Sequence, residues 1–183
     1  MKAWSDALRR ALDGCGHAVP VFFRDDDGGW ADAQLRSLVE LFAAQDVPID
    51  LALIPTAVEA PLADWLLGRI GPGLGIHQHG YCHVSHERAG RKCEFGAARG
   101  YRQQFRDLAL GQHRLKGFFG RKLDPIFTPP WNRCSVDTAA ALHRLGFRAL
   151  SRDATAKPLP ATDRLRELPV TLEDLAVDGC DAG

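Results

Sequence analysis

Short apolar runs alternate along the chain with stretches whose apolar residues fall three or four apart. The runs VPVFFRD (19–25), IDLALIP (49–55), LGIHQHG (74–80), DPIFTPP (124–130), FRALSRD (147–153) and RELPVTL (166–172) predict strands. Helical spacing predicts helices near 32–45, 57–69, 97–118 and 135–145. Ser135 fits an N-cap and Gly146 a stop for the last of these, while Thr56 and the glycines at 71–73 frame the second. The opening residues 1–20 also carry apolar positions at amphipathic spacing. Strands that alternate with helices imply a parallel sheet with crossover helices. Two α/β architectures satisfy the pattern, an open doubly wound sheet and a (β/α) barrel, and both build their sites at the carboxyl ends of strands.

Composition narrows the partners. The 183 residues suit one domain over 1–183, and 23 basic side chains balance 23 acidic ones, which gives no basic face for nucleic acid. No apolar run approaches a membrane span, and the first residues lack the unbroken apolar segment of a secretory signal. Five scattered cysteines make no disulfide framework. A protein of a reducing compartment, most simply the cytoplasm, is expected. The oligomeric state is open.

Polar clusters then appear where three predicted strands end. Asp25, Asp26 and Asp27 close the first run and precede Gly28 and Gly29. Strand parity puts Arg24 and Asp26 on one face, and a break in the pleat would turn Asp27 into the same cleft. Adjacent carboxylates resist joint ionisation unless a cation stands near, and either a metal ion or Arg24 would serve. On the triplet alone a solvated acidic turn that caps the next helix is the better explanation. The segment HQHGYCHVSHE holds four of the seven histidines. His79 and His83 are four apart, so a helical turn would put both imidazoles on one face, able to share an ion such as zinc. A rival grouping of Cys82, His83, His86 and Cys93 lacks the usual paired cysteines of a structural zinc site. His77 shares parity with His79, and Glu94 reads either as a cap for the long helix, the commoner role, or as a group that orients a ligand. In FTPPWNR, the prolines end the strand and Trp131 offers a flat wall, with Asn132 and Arg133 beside it. Asp153 ends a later strand at the same rim.

The order of these motifs resembles the NodB-type polysaccharide deacetylases of carbohydrate esterase family 4, in particular divergent members from polysaccharide biosynthesis. The resemblance runs from about residue 19 to 153. The family motif T-F-D-D-G falls on Arg24–Gly28, H-[ST]-x-x-H on His79–His83, and R-P-P-[YW] on Thr128–Trp131. It implies a distorted (β/α) barrel, a divalent ion (zinc in the first instance) on Asp27, His79 and His83, and Asp26 as general base. The implied reaction is metal-dependent hydrolysis of the acetyl amide of an N-acetylated carbohydrate, with Tyr81, Pro130, Trp131 and Asn132 as candidate substrate contacts.

The chain departs from the family twice. Arg24 stands in the place of the family threonine and Thr128 in that of the arginine that steadies the base, so Arg24 is expected to take over that task from another strand. The family's closing strand supplies a general-acid histidine, yet no histidine follows Phe147, and His113 and His143 both fall in predicted helices. Five or six strands are visible, so the barrel is expected to be incomplete at its C-terminal end, and three readings stay open: a truncated piece, a partner that closes the barrel, or an acid that is not a histidine. The alternative reading is a catalytically impaired domain of the same fold that binds carbohydrate or a protein partner.

Overall fold

A computed structural model describes residues 10, 13–18, 21–157, 159 and 165–170. Six strands form: β1 (Arg24–Gly28), β2 (Ile49–Leu53), β3 (Leu74–His79), β4 (Ile126–Thr128), β5 (Ala149–Asp153) and β6 (Arg166–Val170). Between them lie α1 (Asp32–Ala44), α2 (Ala60–Leu67), α3 (Tyr101–Phe119) and α4 (Val136–Arg144). The amphipathic reading of residues 1–20 falls mostly outside the described residues.

Every strand pair is parallel, and the strands lie side by side in chain order from β1 to β6. A doubly wound sheet reverses its strand order at a switch point, whereas a barrel winds on in one direction. The sequential order therefore makes this a half-barrel of the (β/α) type, and β1 and β6 do not pair with each other among the described residues.

Helices cover one face of the sheet. Leu51, Leu53, Ile76, Leu62, Leu66 and Leu115 are wholly buried in one cluster against α1, α2 and α3. Phe95, Leu108, Phe127, Leu142, Phe147 and Leu150 make a second beneath α3 and α4. Each such side chain contributes roughly 1.5–3 kcal/mol by leaving water, which fixes the strands that carry the polar rim. Ser135 caps α4 as the sequence predicts: its Oγ accepts from Thr138 N–H at 3.4 Å, and its own N–H donates to Thr138 Oγ1 at 3.1 Å. Gly146 ends that helix at φ +82°.

Two expectations need correction. The first strand is the acidic stretch itself, not the apolar run before it: Val21, Phe22 and Phe23 are 63%, 50% and 45% exposed. Among the described residues β1 pairs with β2 alone, so burial on two faces does not choose its boundaries. Thr56 does not cap α2, which starts after Glu59; it bonds elsewhere, as described next.

Candidate metal centre and catalytic rim

On β3, Ile76 and Gln78 face the helices, and His77 and His79 face the barrel interior with Arg24 and Asp26 of β1. The parity of β1 holds for its first three residues. Arg24 Nε donates to Asp26 Oδ1 at 2.8 Å and Arg24 Nη2 to Asp26 Oδ2 at 2.9 Å, a two-point clamp. The same guanidinium donates to Ser151 Oγ on β5 at 2.6 Å and to Asn132 Oδ1 at 3.2 Å. Three separate segments thus fix one arginine, and the arginine fixes one carboxylate.

Beyond Asp26 the pleat breaks. The register with β2 is irregular between Asp25 and Gly28, and Asp27 takes φ +62°. This bulge turns Asp27 into the cleft beside Asp26. There its Oδ1 lies 3.1 Å from His79 Nε2 and 3.1 Å from His83 Nε2. Among the described residues these three alone form a cluster able to hold a metal ion.

Asp27 Oδ1 is buried yet has no aligned hydrogen-bond donor. The two imidazole nitrogens approach it without aiming an N–H at it. Ligands bound to one first-row ion at about 2.0–2.2 Å lie about 2.8–3.6 Å from each other, from right-angled to tetrahedral arrangements, and the observed 3.1 Å falls in that range. The residues fit an ion. Burial would raise the Asp27 carboxyl, but the neighbouring His79 and His83 outweigh it and hold the group well below the usual carboxylate range. His79 Nδ1 is 3.1 Å from the Thr128 carbonyl, the outer contact that orients a ligating imidazole.

The loop after β3 is not the helical turn that the spacing suggests. His83 reaches Asp27 through irregular backbone at φ +55°. Gly80 N–H donates to Thr128 O at 3.1 Å, while Thr56 N–H and Oγ1 both donate to Tyr81 O. Glu94, which the sequence suggests as a helix cap, is wholly buried far from the start of α3 and accepts the Tyr81 and Cys82 N–H groups at 3.2 and 2.8 Å. The Tyr81 ring packs on the second core cluster. Pro130 is buried, and its Cγ would lie 2.5 Å from a Cβ at Gly80.

The rival zinc grouping does not form. Cys93 Sγ turns to the Arg133 carbonyl at 3.4 Å and Cys82 Sγ to Glu94 Oε1 at 3.3 Å. Burial and then the Glu94 charge push the Cys82 thiol up to about 11, which disfavours a thiolate ligand. His77 stays outside the cluster as well: its Nε2 is 2.8 Å from Thr128 Oγ1. Burial, aided by the charges of Arg24 and His79, pushes this imidazole down to about 3, so it is neutral. Asp25 has no cation beside it, and burial together with Asp26 and Asp27 pushes it up to about 6.

Trp30 is a rim residue that the motifs do not mark. Its ring lies 4.6 Å from that of His83, and Trp131 lies 4.4 Å from the same imidazole. Trp30 is 56% exposed. Its only sequence signal is an aromatic residue directly after the glycines that end β1. Trp131 and Asn132 both take φ +55°, so four of the five non-glycine residues with left-handed backbone among those described stand at this rim. Such clustering marks sites where the surrounding structure sustains strained backbone.

No family model matches the chain, and no curated protein matches it. Solved structures do match. One from Mycobacterium smegmatis, described as a candidate polysaccharide deacetylase, superposes with a TM-score of 0.60 at 17% identity, covering 85% of this chain and 62% of that one. IcaB from Ammonifex degensii gives 0.64 at 18%, with 85% and 70% covered. A family 4 carbohydrate esterase from Streptomyces lividans, in complex with acetate, gives 0.55 at 16%, with 72% and 60% covered. The chain thus spans about three fifths of the length of the first and the last of these. No helix among the described residues is long and apolar enough to cross a membrane. With its sequential half-barrel, the chain has the fold of the polysaccharide deacetylases, the family 4 carbohydrate esterases.

Proposed function

We propose that the protein is a metal-dependent hydrolase that removes acetyl from an N-acetylated carbohydrate or a related amide. The convergence of Asp27, His79 and His83 beside an independently clamped Asp26 carries this reading. A domain that merely bound an ion would not need a second carboxylate held by an arginine next to the ligands.

Asp27, His79 and His83 would hold a divalent first-row ion, with zinc suited to two imidazoles and one carboxylate. When bound, such an ion polarises an amide carbonyl and lowers the pKa of bound water from 15.7 toward about 7. Asp26 accepts the proton of the attacking water as general base. Arg24 keeps both Asp26 oxygens in a fixed plane, and Ser151 and Asn132 keep Arg24 in place. Trp30 and Trp131 both pack against His83 and would offer flat apolar faces to a sugar ring. A backbone N–H near Trp131 would receive the developing oxyanion. No residue is assigned as general acid: His113 and His143 are exposed on α3 and α4.

The test combines metal analysis with acetate release from chitooligosaccharides. The reading expects one divalent ion per chain, and expects Asp26→Asn to keep that ion while losing about 100–10,000-fold in rate. A wild-type protein that binds the ion but releases no acetate would instead support the impaired binding domain. A protein that binds no divalent ion defeats the hydrolase reading and leaves the binding domain.

A further inference from the structure

Glu94 is an acidic side chain with no exposure, no cationic partner among the described residues and no place in the chemistry above. Such burial is costly unless strong hydrogen bonds offset it. Both carboxylate oxygens are used, and both serve the same short loop. Oε2 accepts Tyr81 N–H at 3.2 Å, and Oε1 accepts Cys82 N–H at 2.8 Å, with the Cys82 thiol 3.3 Å from the same oxygen. Tyr81 and Cys82 are the residues through which the chain returns from His79 to His83.

The rest of the loop is packed around this anchor. Gly80 sits at φ +57°, and a Cβ there would fall 2.5 Å from Pro130 Cγ and closer still to Glu94 Oε2. Gln78 Nε2 donates to Gly80 O at 2.9 Å. Every backbone N–H from Gly80 to Cys82 therefore has a fixed partner, and Glu94 supplies two of the three. His83 follows immediately in left-handed backbone, which costs about 1–3 kcal/mol for a non-glycine residue and persists only when neighbours impose it.

We propose that Glu94 is a positioning residue for the second imidazole: by holding the Tyr81 and Cys82 amides it delivers His83 Nε2 to Asp27, and so sets the affinity for the divalent ion. The inference rests on the metal reading above. It does not touch the ion or the substrate; it acts through the loop. Removing outer contacts of this kind typically costs about 10–100-fold in metal affinity.

Zinc titration with a chromophoric competitor tests it on the full chain. Glu94→Gln keeps the volume but turns an amide N–H₂ toward a backbone donor, so zinc should bind about 10–100-fold more weakly at a melting temperature close to wild type. Glu94→Asp, which keeps the charge but withdraws it by one methylene, should also weaken zinc and provides the measurement if the glutamine variant fails to fold. Hydrogen exchange at residues 80–84 without metal gives a second readout, and should quicken in both variants. Unchanged zinc affinity with a lowered melting temperature would make Glu94 merely structural and overturn the proposal. Wild-type protein that takes up no zinc would remove the metal reading, and unchanged exchange in the variants would then remove the loop assignment separately.

Discussion

Acidic residues gather at both mouths of the half-barrel, and the two groups behave differently. At the carboxyl rim Asp26 has Arg24, and Asp27 has two imidazoles. At the opposite mouth Asp50 and Asp124 flank Gly75, where a Cβ would lie 3.3 Å from Asp124 Oδ2 and closer to Asp50 Oδ1. No ion pair among the described residues reaches either of them. Burial, and for Asp50 the charge of Asp124, raises both carboxyls above their ordinary value. The number of acids in a cluster therefore says little about function. What separates the two mouths is whether cationic or ligating groups converge on the acids from other strands. Asp25 makes the point within a single triplet: no ion pair among the described residues reaches it, and burial with its acidic neighbours pushes it up.

The comparison can be broken most severely at Asp27. Asp27→Ala should lower affinity for zinc by more than about 100-fold, read by the same competition titration, because two imidazoles remain without their shared oxygen. Zinc binding that survived would mean the rim acids resemble those at the other mouth. A smaller effect is expected at Arg24. Arg24→Lys keeps a charge but loses the two-point clamp, so turnover should fall about 10-fold with zinc affinity preserved; an unaltered rate would detach Arg24 from the chemistry. The smallest effect belongs to Asp124. A carboxyl raised on folding stabilises fully only below its unfolded value, and that contribution is lost as pH rises through the raised value. Asp124→Asn should thus raise the melting temperature by about 2 °C at pH 7 and leave it unchanged near pH 3.5. Thermal scans at the two pH values decide it, and a lower melting temperature at both would show that the carboxylate is a structural partner.

Much of this was readable in the chain because it rests on local period. The runs at 49–55, 74–80, 124–130, 147–153 and 166–172 each contain an observed strand, and the four helical stretches each contain or nearly contain a helix. The shared face of Arg24 and Asp26 follows from strand parity alone. The rest depends on groups distant in sequence. The spacing of His79 and His83 suggests a helical turn, but Thr56, Glu94 and Thr128 impose an irregular loop, and no short-range pattern reports them. Glu94 reads as a cap because an acid before a helix usually is one. Trp30 lies in no motif, and only the approach of the β3 loop brings His83 against it. The start of β1 escapes the apolar pattern because burial does not choose the boundaries of this strand.

The left-handed backbone at Asp27, His83, Trp131 and Asn132 carries a consequence for engineering. Mutations selected only for heat resistance can gain by easing unfavourable torsions, and in this fold four of those torsions shape the candidate metal cleft. Stabilising libraries should therefore leave these positions fixed and relax Asp46, whose φ of +53° lies outside the cleft.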